Sequence, residues 1–136
     1  RYPKRDSALI AFAGPLSNLL TAIVAMIPLK YLHASETFVR LPLYTLLQYI
    51  ATFSIVLFAL NILPLPPFDG SKIVGIFVPH RFQHIYERYL SEGVTYVIIF
   101  ILFDQFVLAS ILNYSILGKI VGTITTWILA LIALGT

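Results

Sequence analysis

The residues best suited to chemistry lie in one short segment, residues 61–70, which contains three prolines followed by Asp69 and Gly70. Proline lacks a backbone N–H and disfavours helical geometry at the residue before it, so a helix that reaches this segment must unwind there. Unwound backbone at membrane depth is tolerated only where it is buried in protein or lines a wet cavity. We therefore predict that Asp69 points into a polar site.

A carboxylate at the centre of a bilayer costs about 2.5 to 3.5 kcal/mol on insertion scales, so it is normally paired, protonated or bound to a cation. The chain contains no cysteine. Any metal bound here must therefore use His, Asp or Glu. The alternative interpretation is a turn at the membrane edge with a solvated Asp69.

The elements that carry this segment are membrane helices, as the composition indicates. Hydrophobic residues make up 59% of the chain, charged residues 11%, and the mean hydropathy is +0.90. Such a composition is that of an integral membrane protein with membrane lipid as its surroundings. The net charge of +3 is spread along the chain, so it indicates membrane topology and no nucleic-acid partner.

Apolar runs predict an all-α fold: one polytopic membrane domain over residues 1–136, a bundle of about four transmembrane helices with a proline-broken helix end at Asp69. The predicted spans cover about residues 8–32, 43–63, 89–103 and 116–134. The third span has an amphipathic lead-in and is interrupted by Asp104. Residues 105–114 are then expected to form a short interfacial or re-entrant helix.

Basic residues predict the orientation of this bundle, because they are enriched on the cytoplasmic side. With four spans, the N-terminus and the Asp69 end share one side of the membrane. Arg1, Lys4, Arg5, Lys72, Arg81 and Arg88 lie on that side, and Lys30, Arg40 and Lys119 lie on the other. We therefore expect the N-terminus and the Asp69 end to be cytoplasmic.

A second polar motif occupies residues 13–18 in the first span. Gly14 and Pro15 allow close backbone approach and a local bend, and Ser17 and Asn18 are candidate interhelical donors. Taken alone, this motif indicates helix packing. In the second span, Asn61 is expected on the last helical turn, from which its side chain could share a cavity with Asp69.

A rival metal site is suggested by His80 and His84, which would share a helix face with Glu87. However, Arg81 stands where a His-Glu-x-x-His motif carries its general base, and arginine opposes a metal and cannot accept a proton. The alternative is an amphipathic interfacial helix. Its expected lipid-facing residues are Phe82, Ile85, Tyr86 and Tyr89. His33 is expected in a solvated polar loop.

Together these motifs resemble the site-2 protease family, peptidase M50-type intramembrane zinc metalloproteases, in particular its small bacterial members. The resemblance rests on residues 1–6, 13–18 and 61–71. It implies that Asp69 is the third zinc ligand and that Asn61 positions the substrate or the reacting carbonyl. The remaining motif residues would have structural roles: Gly14, Pro15, Asn18, Pro64, Pro67 and Gly70.

The resemblance also implies a His-Glu-x-x-His helix that supplies two zinc ligands and the general base, and this motif is absent from the chain. Because the chain starts at Arg1, we expect that helix upstream and expect the present residues alone to be inactive. The implied function of the intact protein is zinc-dependent hydrolysis of peptide bonds within or near transmembrane segments of bacterial membrane proteins. The alternatives are a cation or proton transporter that uses Asp69, or a pseudoprotease that binds membrane partners.

Overall fold

The computed structural model describes residues 3–32 and 42–135, and these residues form helices and connecting turns without a strand. The helices are α1 (Pro3–Leu32), α2 (Pro42–Ile62), α3 (Asp69–Val74), α4 (Gln83–Phe103) and α5 (Ile116–Leu134). The all-α prediction is confirmed. The expectations for Arg1, His33 and Arg40 concern residues outside the described ranges.

Within the described ranges, four helical stretches are long and apolar enough to cross a membrane: Arg5–Tyr31, Pro42–Ile62, His80–Ile111 and Ile116–Leu134. The predicted first, second and fourth spans agree with these limits to within a few residues. Large apolar side chains cover much of their outer surface. Such a surface suits hydrocarbon as its solvent, in which apolar side chains carry no hydration cost.

The third span differs from its prediction. A 3₁₀ turn (His80–Phe82) leads into α4, and the helix continues through a π-helical stretch (Asp104–Leu108) and one α-helical turn (Ala109–Ile111). The expected interruption at Asp104 and the expected separate helix over residues 105–114 are therefore wrong. The helix passes through Asp104 because that carboxylate is buried and hydrogen-bonded to the start of α5 instead of being solvated.

The closest packing in the molecule joins α1 to α2, and small residues make it possible. On α1 they recur at heptad spacing, which keeps them on one helix face. The buried residues of this stripe are Ala8, Ala11, Pro15, Ala22 and Ala25. Small side chains let two membrane helices approach closely and gain dispersion contacts along their length. The facing residues of α2 are Tyr44, Ala51, Ser54, Ile55 and Ala59.

The last helix joins this pair at mid-height. Ala22 of α1, Ile55 of α2 and Ile128 of α5 form a common buried cluster. The short helix α3 and the turn after it pack against α1. This arrangement brings the segment after α2 back onto the first half of α1, where the residue 13–18 motif lies.

Candidate metal centre

The proline segment ends α2 as predicted. The last residue of α2 is Ile62, residues 63–68 are non-helical, and α3 begins at Asp69. Within the turn, the Phe68 N–H donates to the Leu65 carbonyl at 2.9 Å. Because the prolines carry no N–H, this tight three-residue pattern replaces the regular i to i+4 bonds of a continuing helix. Asp69 is thereby the first residue of a new, short helix.

The carboxylate of Asp69 faces Gly14 of α1. A Cβ atom built on Gly14 would lie 2.7 Å from Oδ2 of Asp69, closer than real Cβ contacts allow. Because Gly14 has no side chain, Oδ2 of Asp69 can lie directly against the backbone of α1. The two polar motifs, 55 residues apart in the chain, meet at this point.

The other carboxylate oxygen, Oδ1, lies 3.7 Å from Nζ of Lys72, one turn further along α3. The Asp69 side chain keeps 31% of its surface exposed, and that of Lys72 keeps 55%. An exposed pair at this distance contributes little to stability. Asp69 thus retains accessible carboxylate surface.

Asp69 faces the first half of the first candidate span. Gly14 follows Arg5, where this apolar stretch begins, by nine residues. At a rise of 1.5 Å per residue this places Gly14 about 14 Å along the helix axis from Arg5. Where such a stretch lies in hydrocarbon, an accessible carboxylate requires a cation, a proton or another polar partner.

Gly70, the next residue after Asp69, allows close approach between α3 and the end of α2. It is buried, and a Cβ atom built on it would clash with the Leu63 carbonyl oxygen and would lie 2.5 Å from that of Ile62. These are backbone atoms at the end of α2, so they cannot move aside as a flexible side chain could. Glycine at this position therefore lets α3 start directly against the end of α2.

The remaining motif residues of α1 have separate positions. Pro15 is fully buried and Asn18 is half-buried. Ser17 is exposed, and its hydroxyl donates to the Gly14 carbonyl at 2.7 Å. The expectation that Ser17 donates to another helix is therefore wrong, because its hydroxyl is used within α1.

Asn61 lies on the last turn of α2, as expected, and is half-buried. No hydrogen bond joins its side chain to Asp69 among the contacts of the described residues. The structure therefore brings Gly14 and Gly70 directly to Asp69, whereas Asn61 and Asn18 lie on the two helices that flank it.

The rival histidine site is not assembled. His80 belongs to the 3₁₀ turn and His84 to α4, and both are exposed. Over residues 3–32 and 42–135, no group of three or more His, Cys, Asp or Glu residues is placed to hold a metal ion. Catalytic zinc takes three protein ligands and keeps one open position. Asp69, with one oxygen at the Gly14 space and exposed surface beside it, fits zinc as a single ligand of a site completed by other residues.

The prediction that Tyr86 and Tyr89 face lipid is wrong. The Tyr86 hydroxyl donates to the Ser71 carbonyl at 2.8 Å, and the Tyr89 hydroxyl donates to the Pro64 carbonyl. Both side chains are half-buried, whereas Phe82 and Ile85 of the same predicted face are exposed. The tyrosines turn inward because their hydroxyls satisfy two carbonyls without regular helical partners, that of Pro64 in the proline turn and that of Ser71 in α3.

Asp104 is a further buried polar residue, whose role the hydropathy pattern did not reveal. Its carboxylate accepts hydrogen bonds from the Ser115 hydroxyl and the Ile116 N–H at 2.7 Å each, and from the Leu117 N–H at 3.1 Å. The Gln105 amide adds a fourth donor at 3.2 Å. A carboxylate at a helix N-terminus satisfies free N–H groups and suits the helix dipole. Asp104 therefore caps α5 from the neighbouring helix.

Comparison with known proteins agrees with this arrangement. The model of Peptidase family M50 matches residues 28–104, more than half of the chain and including the whole proline segment. A protein of Bacillus subtilis (strain 168) described as "Putative zinc metalloprotease YwhC" is 35% identical over 83 residues. That alignment covers 58% of this chain and 38% of the relative, so the match spans under half of the relative's length. No solved structure matches the chain. The broken helix with Asp69 at its end, together with the family match over that segment, shows that the chain belongs to peptidase family M50.

Proposed function

We propose that the protein is an intramembrane zinc metalloprotease in which this chain supplies Asp69 as one of three metal ligands. The observation that carries the proposal is the Asp69 carboxylate against the first candidate span, with Oδ2 in the space left by Gly14. The family match and the relative's description support a metalloprotease over a transporter. The other two ligands and the general base would come from a His-Glu-x-x-His helix outside this chain.

Each side chain near the turn would have a separate task. Bound zinc would supply Lewis-acid polarisation of a peptide carbonyl and of water. Asp69 would contribute an anionic oxygen, for which Gly14 leaves space, while Gly70 lets α3 start against the end of α2. The Asn61 carboxamide, on the last turn of α2, is a donor suited to a substrate carbonyl.

The substrate proposed for this site is a transmembrane segment of another protein. In a helix the peptide carbonyls are hydrogen-bonded and covered by side chains, so hydrolysis requires local unwinding. The non-helical backbone at residues 63–68 lies beside Asp69. Partial unwinding of the substrate near this turn would expose the bond to be cleaved.

We further propose a bacterial cell membrane as the location, with the Asp69 end facing the cytoplasm. The described basic residues support this orientation. Arg5, Lys72, Arg81 and Arg88 are exposed at the Asp69 end, against Lys30 at the other end. Basic residues close to span ends are enriched on the cytoplasmic side.

The central test is Asp69→Asn in the whole natural protein, with Glu92→Gln as a matched control. Glu92 is an exposed carboxylate on α4 whose ion pair is with Arg88. We expect roughly one zinc per chain in the natural and control proteins, because a catalytic zinc site holds one ion. In Asp69→Asn we expect loss of zinc and a fall of about 100-fold or more in cleavage of a model transmembrane substrate.

Metal analysis of the purified protein and cleavage of the model substrate measure these two quantities. Retention of both zinc and cleavage in Asp69→Asn would refute the ligand assignment. Absence of zinc from the natural protein as well would favour the pseudoprotease or the transporter.

A further inference from the structure

One face of α4 covers the turn that carries Asp69. Tyr86, Tyr89 and Gly93 are spaced three and four residues apart, so they lie on the same side of the helix. Tyr86 bonds the Ser71 carbonyl and Tyr89 bonds the Pro64 carbonyl. A Cβ atom built on Gly93 would lie 2.9 Å from Cγ of Pro66, so this helix lies directly against the proline turn. The three contacts bracket Asp69 in the chain.

The two tyrosine hydroxyls satisfy carbonyls that a regular helix would pair with an N–H four residues later. The Phe68 N–H donates to Leu65 instead of Pro64. The Gly75 N–H donates to Lys72 and Ile73 instead of Ser71. Each tyrosine therefore replaces a missing helical partner, one before Asp69 and one after it.

The short helix α3 depends on such contacts for its position. It has six residues, and its N-cap residue, Phe68, provides no side-chain cap. Isolated helices of this length are unstable in water, so tertiary contacts must hold it. The Tyr86 ring also lies against Gly75 at the far end of α3, where an added Cβ would be 2.8 Å from the ring atom Cζ.

We propose that Tyr86 and Tyr89 are positioning residues for the metal site, which set where α3 presents the Asp69 carboxylate. This inference rests on the proposed function, since it assigns the tyrosines a task toward zinc. They act through the backbone of the proline turn and touch neither the metal nor the substrate. The geometry of the Asp69 ligand thus depends on the face of α4 that carries Tyr86, Tyr89 and Gly93.

The test uses Tyr86→Phe, Tyr89→Phe and the double variant in the whole natural protein. Phenylalanine keeps the ring and removes only the hydroxyl, so packing is retained. Tyr96→Phe is the matched control, because Tyr96 lies on α4 with 71% of its surface exposed. Zinc affinity is measured by competition with a chelator, and the absorption spectrum of the Co²⁺-loaded protein reports ligand geometry.

We expect the double variant to bind zinc about 10- to 100-fold more weakly, the range found when residues that orient metal ligands are removed. Its Co²⁺ spectrum should shift, while the Tyr96→Phe protein matches the natural one. A purely structural role would lower thermal stability with and without metal equally, and would leave zinc affinity and the spectrum unchanged. That result would overturn the inference.

A second pair of variants tests the packing of α4 against the proline turn without removing a hydroxyl group. Gly93→Ala places a methyl group against Pro66, whereas Gly122→Ala on α5 meets no atom within 4 Å. We expect weaker zinc binding in Gly93→Ala only. If the natural protein binds zinc through Asp69 and all these variants bind it equally well, the positioning role of Tyr86 and Tyr89 is refuted and the proposed function is not. If the natural protein binds no zinc, the proposed function and this inference are refuted together.

Discussion

At the scale of single residues, two glycines decide where the Asp69 carboxylate lies. Gly14 removes a side chain from the space that Oδ2 occupies, and Gly70 allows α3 to start against the carbonyls that end α2. Neither glycine has a positive φ angle. Their importance therefore comes from close approach between helices and not from backbone conformation.

Substitution of Gly14 by alanine should separate the metal site from the stability of the fold. The new methyl group would lie 2.7 Å from Oδ2 of Asp69 and should displace the carboxylate. We expect zinc affinity of the whole protein to fall about 10- to 100-fold. Alanine is the better helix former by about 1 kcal/mol, so thermal stability should not fall in parallel.

The control for this experiment is Gly122→Ala, which adds the same methyl group in open space. It should keep the natural zinc affinity. Chelator competition and thermal unfolding in detergent would be measured on both proteins. Unchanged zinc affinity in Gly14→Ala would show that zinc binding does not depend on the close approach of Gly14 to the Asp69 carboxylate.

At the scale of elements, backbone groups left without a helical partner at two places are hydrogen-bonded by side chains of a neighbouring helix. Tyrosines of α4 donate to the Pro64 carbonyl in the proline turn and to the Ser71 carbonyl in α3, and Asp104 accepts from N–H groups at the start of α5. Backbone groups in a membrane must find protein partners because lipid offers none. These cross-helix bonds therefore join elements that have little other contact.

Removal of the Asp104 carboxylate should weaken the attachment of α5. Asp104→Ala leaves the N–H groups of Ile116 and Leu117 and the hydroxyl of Ser115 without this acceptor. We expect a clear fall in the thermal unfolding midpoint, larger for Asp104→Ala than for Asp104→Asn, which keeps one acceptor oxygen. Zinc content should change little, because Asp104 bonds residues at the start of α5 and not the segment that carries Asp69.

Glu92→Gln again serves as the control, because it removes an exposed carboxylate from the same helix. Thermal unfolding monitored by circular dichroism would give the midpoints. Equal midpoints for Asp104→Ala and Glu92→Gln would mean that the cap contributes nothing to stability.

At the scale of the whole molecule, the two ends of the bundle differ in chemistry. The Asp69 end carries the broken helix and the polar site. Near the other end, a cavity of about 630 Å³ opens between the second half of α1, the first half of α2 and the second half of α5. Its walls are mainly aliphatic, with Tyr44, Gln48 and Thr125 among the polar lining residues. The proposed metal site and this apolar space are therefore separated along the bundle.

The proposed orientation can be measured with single cysteines in a cysteine-free form of the whole protein. Suitable sites are His80→Cys at the Asp69 end and Tyr31→Cys near the end of α1, both exposed and both neutral to the count of Lys and Arg. We expect a membrane-impermeant maleimide to label Tyr31→Cys on intact cells and His80→Cys only after lysis. The reverse pattern would place the Asp69 end outside.

The sequence by itself determined the fold class, the limits of three spans and the helix break before Asp69. These features depend on local chemistry: runs of apolar residues require hydrocarbon around them, and proline lacks an N–H wherever it stands. The same local rules predicted that Asp69 points into a polar site, because a carboxylate in a bilayer is normally paired, protonated or bound to a cation. The family resemblance, carried by residues 61–71, agrees with the match found to peptidase family M50.

Only the tertiary structure decided what meets the proline turn. Gly14 faces Asp69 across 55 residues of chain, Tyr86 and Tyr89 turn inward to backbone carbonyls, and Asp104 caps α5 instead of ending the third span. The local pattern could not separate these outcomes, because a tyrosine suits a membrane interface and a buried hydrogen bond equally well. Which partner a polar group finds depends on how the helices pack, and that packing is set by contacts between residues distant in the sequence.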